Sequence, residues 1–251
     1  MLLAGPAASA SGDARVRFVQ TIPGAEGVQL EATAGDISQR IGRGVGFSEV
    51  GRYEEIPAGE VEFELLEANG RPISGIGERV RNRGRYTVVA IRGERPLVLE
   101  DGRAEGGTSR LRVVNAAPEL GGVDLLLADR SVAEGVGFGD VSDYTSVGPG
   151  AYTLHVTNPQ DGSAIASRGA VTLTAGTSST AFVTGSAGEP IDVVVASDRA
   201  AAPRGAPATG LGGLAGEDPD VLLALLAGLL AALAGAAAYV ALTARSRRGD
   251  R

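Results

Sequence analysis

The chain has 251 residues, 43% of them hydrophobic, with 23 basic and 30 acidic side chains and a formal charge of -7. That length allows two modest domains plus an anchoring segment, and the acidic balance speaks against a nucleic-acid partner, because an acidic exterior repels phosphate backbones. Cysteine and lysine are both absent, which excludes disulfides, thiolate metal sites and cysteine nucleophiles, and also any lysine-linked pilus backbone or lysine–asparagine isopeptide bond.

Residues 1–13 read as a signal-peptide remnant or a disordered tail: Ala8-Ser9-Ala10 is a small-x-small cleavage site, but no basic region precedes it and the apolar part is barely Leu2-Leu3-Ala4. From residue 14 to 102 the pattern is that of strands. Val16 and Phe18 alternate with Arg15 and Arg17, and Val28, Leu30 and Ala32 with Gln29, Glu31 and Thr33, so one face of each strand is dry and the other wet. Further strands are predicted at 45–53, 60–67, 72–80, 85–91 and 96–100. Pro23-Gly24, Pro57-Ala58-Gly59 and Asn69-Gly70 supply turns between them.

The second half repeats the first. Val45-Gly46-Phe47-Ser48-Glu49-Val50-Gly51-Arg52-Tyr53 matches Val136-Gly137-Phe138-Gly139-Asp140-Val141-Ser142-Asp143-Tyr144 at an offset of 91 residues, from Val45 to Val136. Ile56-Pro57-Ala58-Gly59 falls on Val147-Gly148-Pro149-Gly150 at the same offset, and the leading strands align at 95, from Val28 to Val123. A unit of about 90 residues with seven short strands favours two tandem immunoglobulin-like β-sandwich domains, over 14–102 and 110–198. Residues 101–109 read as the linker between them. Residues 199–220, rich in Ala, Pro and Gly, read as a second linker.

Residues 221–242 carry no charge and as a helix would extend about 33 Å, enough for a transmembrane helix. Glu217, Asp218 and Asp220 precede this stretch, and Arg245, Arg247, Arg248 and Arg251 follow it in the basic tail 243–251. The expected topology is single-pass in the cell membrane, with the N-terminus outside and the C-terminus cytoplasmic.

The repeated pattern Val-Gly-Phe-(Ser/Gly)-acid-Val-x-x-Tyr, with the Pro/Gly turn and alternating strand after it, resembles the bacterial family called domain of unknown function 4397. That resemblance implies exported tandem modules and no established activity. Ala206-Pro207-Ala208-Thr209-Gly210, followed by the apolar stretch and basic tail, resembles a sortase sorting signal, with Ala206 where the pattern has Leu. It implies cleavage between Thr209 and Gly210 by a sortase and attachment to the cell wall.

Residues that could carry chemistry have plainer roles. His155 is the only histidine; in the alternation around it the imidazole falls on the wet face, without the nucleophile and orienting carboxylate that hydrolysis needs. Asp129, Asp140 and Asp143 suggest a calcium loop, but Arg52 occupies the place of Asp143 in the first repeat. The rows Glu60, Glu62, Glu64 and Arg79, Arg81, Arg83, Arg85 are expected to pair across a hairpin closed at Asn69-Gly70, with Glu60 opposite Arg79. Phe47, Val50 and Tyr53, with Phe138, Val141 and Tyr144, are expected to be the core of the repeat signature rather than a sugar-stacking platform. No catalytic, cofactor-binding or metal-binding residue is nominated. The expected function is a membrane-anchored cell-surface protein with a structural or interaction role. Its alternatives are an adhesin for an extracellular protein or glycan and an accessory domain of a cell-envelope enzyme.

Overall fold

The computed structural model describes residues 12–186 and 188–198, which belong to one compact unit. The linker 199–220, the sorting-like motif at Ala206 to Gly210, the apolar stretch 221–242 and the basic tail lie outside the described residues. Among the described residues no helix is long and apolar enough to cross a membrane.

The first repeat contains β1 (Asp13–Gln20), β2 (Gln29–Ala34), β3 (Ile37–Ile41), β4 (Glu49–Val50), β5 (Glu54–Pro57), β6 (Gly59–Leu66), β7 (Pro72–Val80), β8 (Arg85–Ala90) and β9 (Leu97–Glu100). The second contains β10 (Ser109–Asn115), β11 (Gly122–Leu127), β12 (Arg130–Gly137), β13 (Thr145–Val147), β14 (Gly150–Thr157), β15 (Ala164–Leu173), β16 (Ser178–Ser186) and β17 (Glu189–Asp198). Each repeat is a sandwich of two sheets. One has the order β3-β2-β6-β7, matched by β12-β11-β14-β15. In the other, β1 lies between β8 and the short strands β4 and β5, with β9 outside β8; its counterpart runs β13-β10-β16-β17.

All pairings are antiparallel except β1 with β8 and β10 with β16, which are parallel. The immunoglobulin constant arrangement puts its first two strands in one sheet; here the first strand joins the last two, and the second pairs with the third. The hairpins explain this partition. Gly35 (φ 57), Gly70 (φ 85) and Gly93 (φ 73) close tight turns that keep β2–β3, β6–β7 and β8–β9 each within one sheet.

The strand expected at 45–53 is mostly turn. Ser48 takes φ 58 and Gly44 φ 78, Val45 N–H bonds to Gly42 O and Glu49 N–H to Gly46 O, and only Glu49–Val50 pairs, with β1. The strand that fills this place in the sheet is β3, which the alternation did not single out: its burial is exposed along most of its length.

Each sandwich has its own core. Val16, Phe18, Leu30, Ile41, Phe63 and Leu65 anchor the first, and Leu111, Val113, Leu125, Leu154, Val156 and Leu173 the second. The alternation around Val16 and Leu30 therefore assigns the dry face correctly. It misjudges the other face of β1, because Arg17 and Val19 are also buried. A third cluster draws on both repeats, with Val19, Val89, Ile91 and Leu99 from the first and Val114, Ala116, Phe182 and Ala196 from the second. Four sheets are thus stacked in series, and β1, β8, β10 and β16 are covered on both faces.

Candidate functional site

The densest group of buried polar side chains lies where the repeats meet, and it is built twice. Arg17 on β1 and Arg112 on β10 project from equivalent positions. Arg17 Nε donates to Thr87 Oγ1 at 2.8 Å and Arg112 Nε to Thr180 Oγ1 at 3.0 Å, each threonine standing on the neighbouring parallel strand. The far ends of the two guanidinium groups then cross over. Arg17 Nη2 lies 2.9 Å from Asp198 Oδ1 at the end of β17. Arg112 Nη2 lies 2.9 Å from Asp101 Oδ1, just past β9. Residue i of one repeat meets residue j of the other, and j meets i, which is the relation of a two-fold contact.

The signature tyrosines complete the group. The Tyr53 ring has the guanidinium carbons of Arg17 and Arg85 at 4.6 and 4.3 Å from its centre, and the Tyr144 ring has those of Arg110 and Arg112 at 4.3 and 4.4 Å. Such stacking holds a cation against an aromatic face with little exposure to water. The Tyr53 hydroxyl lies within hydrogen-bond reach of Asp101 Oδ2, at 2.7 Å, and of Asp198, its one proton shared between the two carboxylates, while Thr87 O–H donates to Asp101 Oδ2 at 2.6 Å. The symmetry stops at Tyr144, whose buried hydroxyl has no hydrogen-bond partner among the described residues.

Burial pushes the Tyr53 hydroxyl well above the usual tyrosine range and also raises that of Tyr144; Arg17 beside the first and Arg112 beside the second oppose the shift without cancelling it. Burial likewise raises the Asp198 carboxyl above its ordinary value, against the pull of Arg17. The group is a buried charge clasp. Buried ions of this kind hold a geometry in place, because removing one partner leaves the other unpaired in a low-dielectric site.

Five of the six signature residues lie at or beside the junction rather than in a sandwich core. Val50 and Phe138 pack against the cluster shared by both repeats. Tyr53 and Tyr144 join the charge clasp. Phe47 is half-buried and Val141 is 40% exposed, Val141 pairing with Val114 of β10 through a single bridge. The expected core packing is met by Val50 and Phe138 at the shared cluster and not inside either sandwich, because the segments that carry these residues turn over the outer face of β1 and β10, the face that meets the other repeat.

Asp101, assigned to the linker, is 6% exposed and is a central acceptor of the clasp; Ser109 is fully buried in β10. Alternation alone puts Arg17 on a wet face; the signal in the sequence that points the other way is Arg112, which repeats it at the 95-residue offset of the leading strands. Glu60 does stand opposite Arg79, their charged groups 3.3 Å apart. The rest of that row disperses, since Glu62 and Glu64 face Gly77 and Gly75, Arg81 pairs with Glu100, and Arg85 enters the clasp. His155 is half-buried on β14 beside Leu126 and Ser167. Among the described residues no group of three or more acidic or histidine side chains is placed to hold a metal ion.

Strand direction gives the block two distinct ends. Asp13 O accepts from Arg83 N–H where the first repeat begins, and Asp198 pairs with Ser178 at the start of β16. The chain thus enters and leaves at the end that holds the clasp. The turns β1–β2, β6–β7 and β8–β9 of the first repeat, with β10–β11 and β14–β15 of the second, gather at the opposite end, where Ser48 Oγ and Thr184 Oγ1 bridge the repeats at 2.7 Å.

The family model described as domain of unknown function (DUF4397) matches residues 14–126 and 109–209. Comparison with curated proteins finds no match. Among solved structures, the TIE protein of Bacillus anthracis is similar at 14% identity and a TM-score of 0.23, covering 70% of this chain and 34% of that one, so that this chain spans about a third of its length. A Bacteroides uniformis protein described as a candidate cell adhesion protein gives 12% identity and a TM-score of 0.25, over 73% and 97% of the two chains. CBMbc (family CBM26) from Eubacterium rectale Amy13K, in complex with maltoheptaose, gives 10% identity and a TM-score of 0.24, over 75% and 98%. Similarities of that size leave ligand and function to be argued from this chain.

Proposed function

The chain belongs to the DUF4397 family, and from that premise we propose that it is a non-catalytic display module of the bacterial cell surface, two sandwiches clasped into one block and held by one end. One observation carries this reading: Asp13 and Asp198, where the chain enters and leaves the block, lie at the same end, and the turns of both repeats gather at the other. A chain tethered through residues 199–220 to a span at 221–242 would present those turns outward, with residues 243–251 in the cytoplasm. The Ala206 to Gly210 motif would let a sortase exchange the span for a cell-wall bond after Thr209. Partners are then the membrane, sortase and wall at one end and an extracellular protein or glycan at the other.

Fractionation of cells, digestion of the wall and mass spectrometry of the C-terminus test this reading. A chain ending at Thr209 in the wall fraction supports sortase attachment, and one ending at Arg251 in the membrane fraction supports a permanent span. A soluble cytoplasmic chain, untouched when intact cells are treated with protease, would sink the proposal.

One feature favours the adhesin reading within this frame. At the turn end of the first sandwich a hollow of about 580 Å³ is lined by Ile22, Ala25, Val28, Ala68 and Ile73, with Arg92 beside them. Binding of surface glycans and proteins to the full chain, lost in Ile73→Asp, would establish it; a chain that binds nothing on such an array would leave a structural role alone.

A further inference from the structure

The two repeats carry opposite charges at equivalent exposed positions. At the 91-residue offset of the signature, Arg43 falls on Glu134 and Arg52 on Asp143, while Glu49 falls on Asp140. All six side chains belong to exposed residues. Arg43 and Arg52 have no ion pair or hydrogen bond from their guanidinium groups among the described residues, nor have the carboxylates of Glu134, Asp140 and Asp143. Glu49 is taken up by its own turn, accepting from Gly46 N–H at 3.0 Å.

The acidic positions line a shallow groove of mixed polar and apolar surface. Glu134, Asp140 and Asp143 line a groove of about 670 Å³ with Val132, Val141 and Leu97, and no basic residue lines it among the described residues. The three carboxylates are not grouped to hold a metal ion, so a bound cation does not account for them. On the other repeat, Arg43 sits in the exposed turn Gly42-Arg43-Gly44, and the backbone just before Arg52 comes close to the backbone just before Arg43, since the positions of Gly42 and Gly51 both close on the Val45 side chain. The narrow basic turn and the acidic groove are opposites in charge.

Their placement adds a direction. Because the repeats meet through a two-fold contact whose strands run the same way, equivalent surfaces lie on opposite sides of the block. We propose that these surfaces are the two halves of one contact between copies: the Arg43 and Arg52 face of one chain seats in the Glu134, Asp140 and Asp143 groove of the next. Like faces repel, so the contact is head-to-tail and does not close on itself as a dimer. It builds a row in which every copy keeps its entry and exit ends on the same side. Tethering of copies to one surface would raise their effective concentration, and a weak contact would then suffice. The proposal does not depend on how the chain is anchored.

Sedimentation velocity of the full chain in detergent, with bound detergent subtracted, tests it. The mass is expected to rise about twofold or more with protein concentration at low salt and to return to that of one chain near 1 M salt, where charges are screened beyond about 3 Å. The double variant R43E/R52E, with two acidic faces, is expected to remain a single chain, and so is E134R/D143R, with two basic faces. An equimolar mixture of the two is expected to associate again, which also shows that both are folded. A wild-type chain that stays single at low salt, association that either variant keeps by itself, or a mixture that fails to associate would each overturn the proposal.

Discussion

At the junction the two repeats carry the same charges in equivalent places: Arg17 and Arg112 on the first strands, Asp198 and Asp101 after the last ones. On the outward faces they carry opposite charges, Arg43 and Arg52 in one, Glu134 and Asp143 in the other. The difference follows from what each surface meets. A two-fold contact uses every residue twice, so a duplicated unit that binds its own copy must present both partners of each pair on the same surface. An outward face is free of that requirement. The clasp is thus legible as a self-complementary contact left over from equal copies, and the outer faces as the places where the copies have diverged.

The clasp is symmetric in outline and unequal in detail, and the inequality can be measured. Asp101 accepts from Thr87, Tyr53 and Arg112 and is close to Arg17, so Asp101→Ala strands buried arginines and should cost about 3–5 kcal/mol in urea unfolding. Asp198 has one carboxylate oxygen without a hydrogen bond, and burial already favours its protonated form. Asp198→Ala is therefore expected to cost less, by about 1 kcal/mol or more. Equal losses would mean that the two halves are energetically alike.

Alkali sharpens the same comparison. The ordinary tyrosine value is 10.0, and in the fold both Tyr53 and Tyr144 stay protonated above it. Above pH 10 the unfolded chain therefore binds fewer protons than the folded one, and stability that is full below that pH falls as pH rises. The slope is about 1.4 kcal/mol per pH unit for each tyrosine kept neutral. With neither lysine nor cysteine in the chain, the titrating groups there are its tyrosines. Tyr53→Phe should reduce the slope. At neutral pH the same substitution removes the hydroxyl that the two carboxylates share and should cost about 1–3 kcal/mol, whereas Tyr144→Phe removes no hydrogen bond among the described residues and should stay within about 0.5 kcal/mol.

The smallest effect belongs to the outer surface. Glu60 and Arg79 pair at 3.3 Å with both side chains about three-quarters exposed, at 75% and 78%. Glu60→Ala should change stability by about 0.2–1 kcal/mol, and a loss as large as that of Asp101→Ala would erase the contrast between junction and surface.

That pair is also where the sequence was most legible. Asn69-Gly70 marks the hairpin, and a bulge between Leu65 and Leu66, which the sequence does not announce, shifts the register by one so that Glu60 stands against Arg79. The cores around Phe18 and Leu30 followed from alternation for the same local reason. The duplication followed from self-similarity. What local pattern could not supply was the neighbour of each exposed-looking face. Arg17 alternates with Phe18 as a wet residue should, and only the second sandwich dries it. The signature tyrosines looked like core for a related reason: they recur beside Val50 and Val141, yet their partners are arginines from strands distant in sequence, two of them in each repeat. The strand order escaped as well, since alternation marks a strand without saying which sheet it joins.

Native-state hydrogen exchange of the full chain tests the joining of the two sandwiches most directly. Amides of β1 and β8 in the first sandwich and of β10 and β16 in the second are expected to open at one common, highest free energy, and Asp101→Ala is expected to lower that value for both sets. If the two sets open at separate energies in the wild-type chain, and Asp101→Ala moves neither, the repeats are independent domains in contact and the clasp does not join them.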